Sequence, residues 1–256
     1  MTGVNHDELG LFLAAEGIDQ WGVARCAPAL WPWAPDLPFA ISLGMHVDST
    51  IIAEVVHGPT AAYFGEYERI NGRLDRTVEA LVALLMEWGG RAEAVRPTGS
   101  PNASVTDWAD ARVFPHKTAA TQAGLGWIGK TALFVSPTRG PRVRLASVFT
   151  DLELPVGQPV TVSRCRSCRR CLDACPAHAG RDVAWRAGMC RAELLDVKAC
   201  ERQNASNKRN VGDICGICVA VCPVGRRAVD RERPASVADR TPPEPCEQQG
   251  SPTRLG

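Results

Sequence analysis

The sequence predicts an α+β protein, with a mixed α/β domain over residues 1–155, a small cysteine-rich module over 160–225 and a polar tail over 226–256. Three observations lead there. Apolar residues in the first 155 positions switch between helical and strand-like spacing. Nine of the 11 cysteines fall between Cys165 and Cys222. The full 256 residues suffice for one sizeable core plus a satellite module.

Taken in order, Asn5–Glu16 reads as a short helix stopped by Gly17, and Trp21–Arg25 as a strand. Trp31–Pro38 is a Pro/Trp loop leading into a strand over Phe39–Val47. Leu74, Val78, Leu81, Val82, Leu85 and Trp88 keep helical spacing until Gly89-Gly90 ends it, and these are core positions. Ala92–Arg96 reads as a strand and His116–Ala123 as a helix. Thr131–Val135 and Arg142–Thr150 are expected to form a hairpin around the turn Ser136–Pro141. Pro155–Pro159 is a linker. The tail, rich in Pro, charge and Gln, is expected to be disordered.

Net charge is +1, so composition gives no argument for nucleic acid. No apolar stretch is long enough to cross a bilayer, and no membrane partner is expected. Met1–Gly10 lacks the basic start, apolar core and cleavage site of an export signal. The expected location is therefore cytoplasmic, where cysteines stay thiols rather than pair as disulfides. Between residues 160 and 230, thirteen Lys and Arg face seven Asp and Glu. That excess suits an anionic, thiolate-bound centre.

The cysteine spacing names the centre. Cys165, Cys168, Cys171 and Cys175 read C-x2-C-x2-C-x3-C-P, closing on Pro176; Cys215, Cys218 and Cys222 read C-x2-C-x3-C-P, closing on Pro223. Three thiolates on a tight loop can meet one face of an iron–sulfur cubane, while the Cys-Pro turn sends its sulfur to a second one. Zinc sites draw instead on paired CxxC units. The module is therefore expected to be ferredoxin-like, with two [4Fe–4S] clusters. One would take Cys165, Cys168, Cys171 and Cys222; the other would take Cys175, Cys215 and Cys218 and lack a ligand, because Gly212 stands where a full run has its first cysteine. Cys200 is the preferred fourth ligand, following the helical-looking Arg191–Lys198, and Cys190 is the alternative. Cys26 and Cys246 stand outside the pattern.

The loop Gly124-Leu-Gly-Trp-Ile-Gly-Lys-Thr131 satisfies both G-x-x-x-x-G-K-[ST] and G-x-G-x-x-G. Either motif binds phosphate only when a strand enters the loop and a helix leaves it. Here the order is reversed, so ATP or NAD is not expected. Gly124, Gly126, Gly129 and Lys130 stay candidate cofactor-binding positions, because such glycines imply close approach of the backbone to a ligand or to another strand.

This loop, then Gly140-Pro-Arg-Val-Arg144, Val148-Phe-Thr-Asp151 and the two cysteine runs, occur in an order that resembles the epoxyqueuosine reductase family and its relatives, the corrinoid-dependent reductive dehalogenases. The resemblance covers roughly Leu37 to Gly225. It implies an oxidoreductase in which the clusters relay single electrons from a low-potential donor to a cobalamin held by residues 1–155. The substrate is then a small molecule or, in queuosine biosynthesis, an epoxide on a tRNA wobble nucleoside. In the family a cysteine about fifteen residues before the second run completes cluster two, which here is Cys200. The family's proton donor, an aspartate fourteen residues before the glycine loop, falls on Asp110. His116 and Lys117 lie near and read as a helix-start histidine and a surface lysine. The tRNA enzymes carry a helical-repeat domain after the clusters, where this chain has a short tail. The alternative reading is thus a ferredoxin-like electron-transfer protein serving another enzyme.

Overall fold

The computed structural model describes residues 6–26, 36–99 and 116–226. Helix α1 (His6–Ala15) leads to strands β1 (Gln20–Arg25) and β2 (Phe39–His46). A short α2 (Ser49–Ala53) and a 3-10 turn (Glu54–His57) precede the long α3 (Ala61–Glu87) and β3 (Ala92–Val95). Then come α4 (His116–Gln122), β4 (Trp127–Ile128), β5 (Phe134–Val135) and β6 (Val143–Thr150). The cysteine-rich part holds only helices among its regular elements: α5 (Arg170–Asp173), α6 (Arg191–Leu194), α7 (Val197–Lys208) and α8 (Ile217–Ala220). None of the described helices is long and apolar enough to cross a membrane.

The main sheet has the order β1-β2-β6-β3 and is antiparallel throughout. Strand alternation sends successive side chains to opposite faces. Ile41, Leu43, Ala146 and Val148 thus join Leu9 and Leu13 of α1 and the α3 stripe Ile70, Leu74, Val78, Leu81 and Leu85 in one core. Ala24, Ala40 and Phe149 point the other way, onto Ala119 and Ala123 around α4. Covered on both faces, β2 is buried at seven of its eight positions. Helix α3 begins where Thr60 Oγ1 accepts the Tyr63 N–H at 3.1 Å. It ends at Gly89 (φ 86), whose left-handed backbone lets Gly90 N–H reach Leu85 O.

Four sequence expectations change. Helix α3 starts thirteen residues before the first apolar position read as helical, because its early turns bury Glu66 and Asn71 alongside Tyr63 and Ile70, which interrupts the apolar stripe. The expected hairpin of Thr131–Val135 with Arg142–Thr150 does not form. β5 pairs with β4 instead, and β6 takes β2 along its whole length and β3 along Ser147–Thr150 as its partners. The helical stretch Arg191–Lys198 breaks at extended Leu195, and a new helix starts with Asp196 accepting from the Ala199 N–H. The Pro155–Pro159 connection is no free tether either. Gly157 N–H bonds Val23 O at 2.8 Å, and a Cβ at Gly157 would sit 2.1 Å from Ala123 O.

One buried polar group ties α4 to the sheet. His116 Nε2 donates to Arg96 O at 2.9 Å, so Nδ1 is the acceptor for the Ser147 hydroxyl 3.0 Å away. Burial lowers its pKa from 6.5 to about 4. The unfolded chain takes up a proton there near pH 6.5 and the folded chain only near pH 4, so stability falls as pH drops through that window. The loss attributable to this ring reaches about 3 kcal/mol. Denaturation midpoints measured from pH 7 to 4 should fall less steeply for His116→Gln than for the parent.

Candidate metal centre

The first run is laid on a turn and one short helix. Cys168 N–H bonds Cys165 O at 3.0 Å, Cys171 lies in α5, and Cys175 follows directly after the helix cap Ala174. The second run repeats the plan, with Cys215 before the left-handed Gly216 (φ 84), Cys218 within α8 and Cys222 just past it. Gly216 has a specific need for its hydrogen: a Cβ there would lie 2.5 Å from the Tyr63 ring. Cys200 is on α7, in the same buried cluster as Cys165 and Cys175.

The thiols gather in two interacting sets. Burial, and then repulsion from Cys222, Cys165 and Cys168, pushes the Cys171 thiol up to about 11. Cys218 is raised by burial and by Cys215, Cys171, Cys200 and Cys175. Burial likewise raises Cys200, with Arg191 pulling it back and Cys175 and Cys215 adding to the rise. Cys218 feels Cys171, so the sets adjoin. Cys190 is exposed and takes part in the cap of α6. Cys26 is buried in the sheet core, where desolvation lifts its thiol to about 11.

These residues fit iron–sulfur cubanes in their chemistry. Crowded thiols that resist ionisation alone suit a polynuclear cation that removes several protons at once. Among the described residues no group of three His, Cys, Asp or Glu is close enough to hold a single metal ion. Trp127 Nε1 is buried with no acceptor among the described residues, in the cluster that includes Cys165 and Cys175.

The glycine loop is placed beside this centre. A helix enters it and a strand leaves it, the reverse of a phosphate loop. Its close approaches are to the chain itself: a Cβ on Gly124 would be 2.6 Å from Gln158 O, and one on Gly126 would be 2.2 Å from Val135 O. A Cβ on Gly129 would touch Cys165 Sγ at 3.6 Å. Lys130 is buried, and its Nζ donates to Asp182 Oδ1 at 2.7 Å; Arg169 holds the other oxygen of that carboxylate. Asp110 lies outside the described residues. Lys117 is half-buried rather than a free surface lysine: Nζ donates to Ala132 O at 2.8 Å, and burial lowers its pKa to about 8.

Fold and thiol sets together define a double-cluster iron–sulfur domain docked on an antiparallel α/β domain. Residues 164–225 match the family described as 4Fe-4S double cluster binding domain. The chain is 33% identical over 149 residues to the epoxyqueuosine reductase of Gloeobacter violaceus, covering 57% of this chain and 46% of that protein. It is 36% identical over 118 residues to a tetrachloroethene reductive dehalogenase of Desulfitobacterium hafniense, covering 40% and 21%. The chain thus spans less than half the length of either relative. Among solved structures, a reductive dehalogenase described as B12-dependent superposes with TM-score 0.67 at 21% identity, over 90% of this chain and 34% of that one. An epoxyqueuosine reductase bound to a tRNA-Tyr stem loop gives 0.58 at 17%, over 86% and 65%. The resemblance read from the ordered motifs therefore holds in sequence and in fold.

Sequence reasoning missed three residues at the centre. Arg142 is buried against the second Cys-Pro turn, Asp182 neutralises Lys130, and Tyr63 packs on Gly216. Only the run Gly140-Pro-Arg142 hinted at the first. Gly126→Ala should overpack against Val135 and cost roughly 1–3 kcal/mol, read as a lower melting temperature, while ATP should leave the melting temperature of the parent unchanged.

Proposed function

We propose that this chain is an iron–sulfur reductase that passes single electrons through two [4Fe–4S] clusters to a corrinoid. The observation that carries this reading is the gathering of Cys171 with Cys165, Cys168 and Cys222, and of Cys218 with Cys175, Cys200 and Cys215. Those two sets are the proposed ligands, with Cys200 rather than Cys190 completing the second. The clusters, when bound, accept and release one electron each at low potential. The chain's own part is to keep the two thiol sets adjacent and shielded by the second core of Trp127, Phe134, Trp185 and Leu194.

The corrinoid and the substrate class follow from the relatives. Epoxyqueuosine reductases and a dehalogenase described as B12-dependent share this fold. The proposed substrate is an epoxide, as on the modified nucleoside of tRNA, with a carbon–halogen bond as the second choice. Asp110 is the proposed proton donor, because the family that the chain resembles has its acid fourteen residues before the glycine loop. The donor of electrons is a low-potential carrier, and the proposed setting is the cytoplasm, which keeps these thiols reduced.

Two experiments test this. Protein purified without oxygen should contain iron and sulfide in equal amounts and bleach with dithionite. Cys200→Ala should retain about half the iron and Cys190→Ala all of it; the opposite pattern would show that the ligand is misassigned. With added cobalamin and dithionite, the parent should reduce epoxyqueuosine in a tRNA stem loop, and Asp110→Asn should slow that by about 10²-fold or more. Full reduction without cobalamin, or none with it, would remove the corrinoid from the proposal.

A further inference from the structure

The guanidinium of Arg142, at the entrance of β6, is only 2% exposed. Its Nη2 donates to Cys222 O at 2.7 Å and to Ala220 O at 2.9 Å; its Nη1 donates to Val224 O at 2.9 Å and to Arg139 O at 3.3 Å. Three of these carbonyls belong to the end of α8 and the Cys222-Pro223 turn, where helix carbonyls lack intrahelical partners and a cation is favoured. The contact is close on both sides. A Cβ on Gly140 would be 2.3 Å from Val224 O, and one on Gly225 would be 2.5 Å from the Arg139 backbone. The turn at 138–142 and the turn at 222–225 are therefore interlocked, with the Arg142 fork closing the joint.

An arginine stays protonated at any working pH, so this is a fixed charge in a site with little water.

We propose that Arg142 is a positioning residue that holds Cys222 on the first cluster from the α/β domain and, by its buried charge, raises that cluster's reduction potential relative to the second. This rests on the reading of Cys222 as a ligand of the first cluster. When that cluster takes one electron, as from the radical anion of dithionite, which is oxidised to sulfite, its negative charge grows by one unit. Charge and hydrogen bonding near the sulfurs are the levers that set such potentials. Arg142 couples preferentially to one cluster, because its bonds go to the carbonyls flanking Cys222.

The test is a redox titration followed by electron paramagnetic resonance on the parent, Arg142→Met and Arg142→Lys, with Cys200→Ala identifying the first cluster's signal. In Arg142→Met the first cluster's midpoint should move to more negative potential while the second stays. Unchanged midpoints, or equal movement of both, would overturn the proposal. Should Arg142→Met lose the first cluster outright, Arg142→Lys carries the test. That variant keeps the charge and loses the fork, so the midpoint should stay near that of the parent while the first cluster's iron passes to a chelator several-fold faster. Parental iron loss, or a midpoint as negative as in a chargeless site, would overturn it. A parent protein without two clusters would instead sink the functional reading itself.

Discussion

Thiols crowded out of water govern this molecule. Sulfur must lose its proton to bind iron, yet burial and mutual repulsion hold Cys171 near 11 and raise Cys218, Cys200, Cys215 and Cys222. These five thiols are therefore poorly stable as free thiolates and well suited to a cation that several sulfurs share. Most of the local architecture answers that constraint. Short helices α5 and α8 present cysteines at their ends, and buried Arg142 brings positive charge to the Cys222 turn.

The α/β domain is as much a part of this arrangement as the cysteine runs. Ile214, Val219 and Ala220, from the second run, are members of the main sheet core, together with Val55 and Tyr63. The β4–β5 ribbon, which precedes the runs in sequence, shares a second core with Ala179, Trp185, Leu194 and Leu195. The two regions therefore interpenetrate.

Several elements were legible because their signal is local. The α3 stripe from Leu74 to Leu85 and the strand at Phe39 follow simple periodicities, and the helix that enters the glycine loop was readable from its own residues. The failures are non-local. Thr131–Val135 has the apolar look of a hairpin arm, but its pairing with β4 rather than β6 is set by where distant β2 and β3 dock on β6, which the local sequence does not show. The first turns of α3 bury Glu66, held by Arg69, and Asn71, so periodicity of apolar residues underestimates that helix.

By itself, the sequence determined the metal chemistry, because iron–sulfur ligation needs cysteines at fixed short intervals and a Cys-Pro turn, all written within two short stretches of chain. The tertiary structure decided which distant thiols lie near one another, and what charge surrounds them. Cys200 comes near Cys175 and Cys215 because α7 packs on the second core, and Arg142 reaches the Cys222 carbonyl because two glycine turns interlock. Spacing along a chain constrains neighbours; contacts across eighty residues are set by packing, which no single stretch encodes.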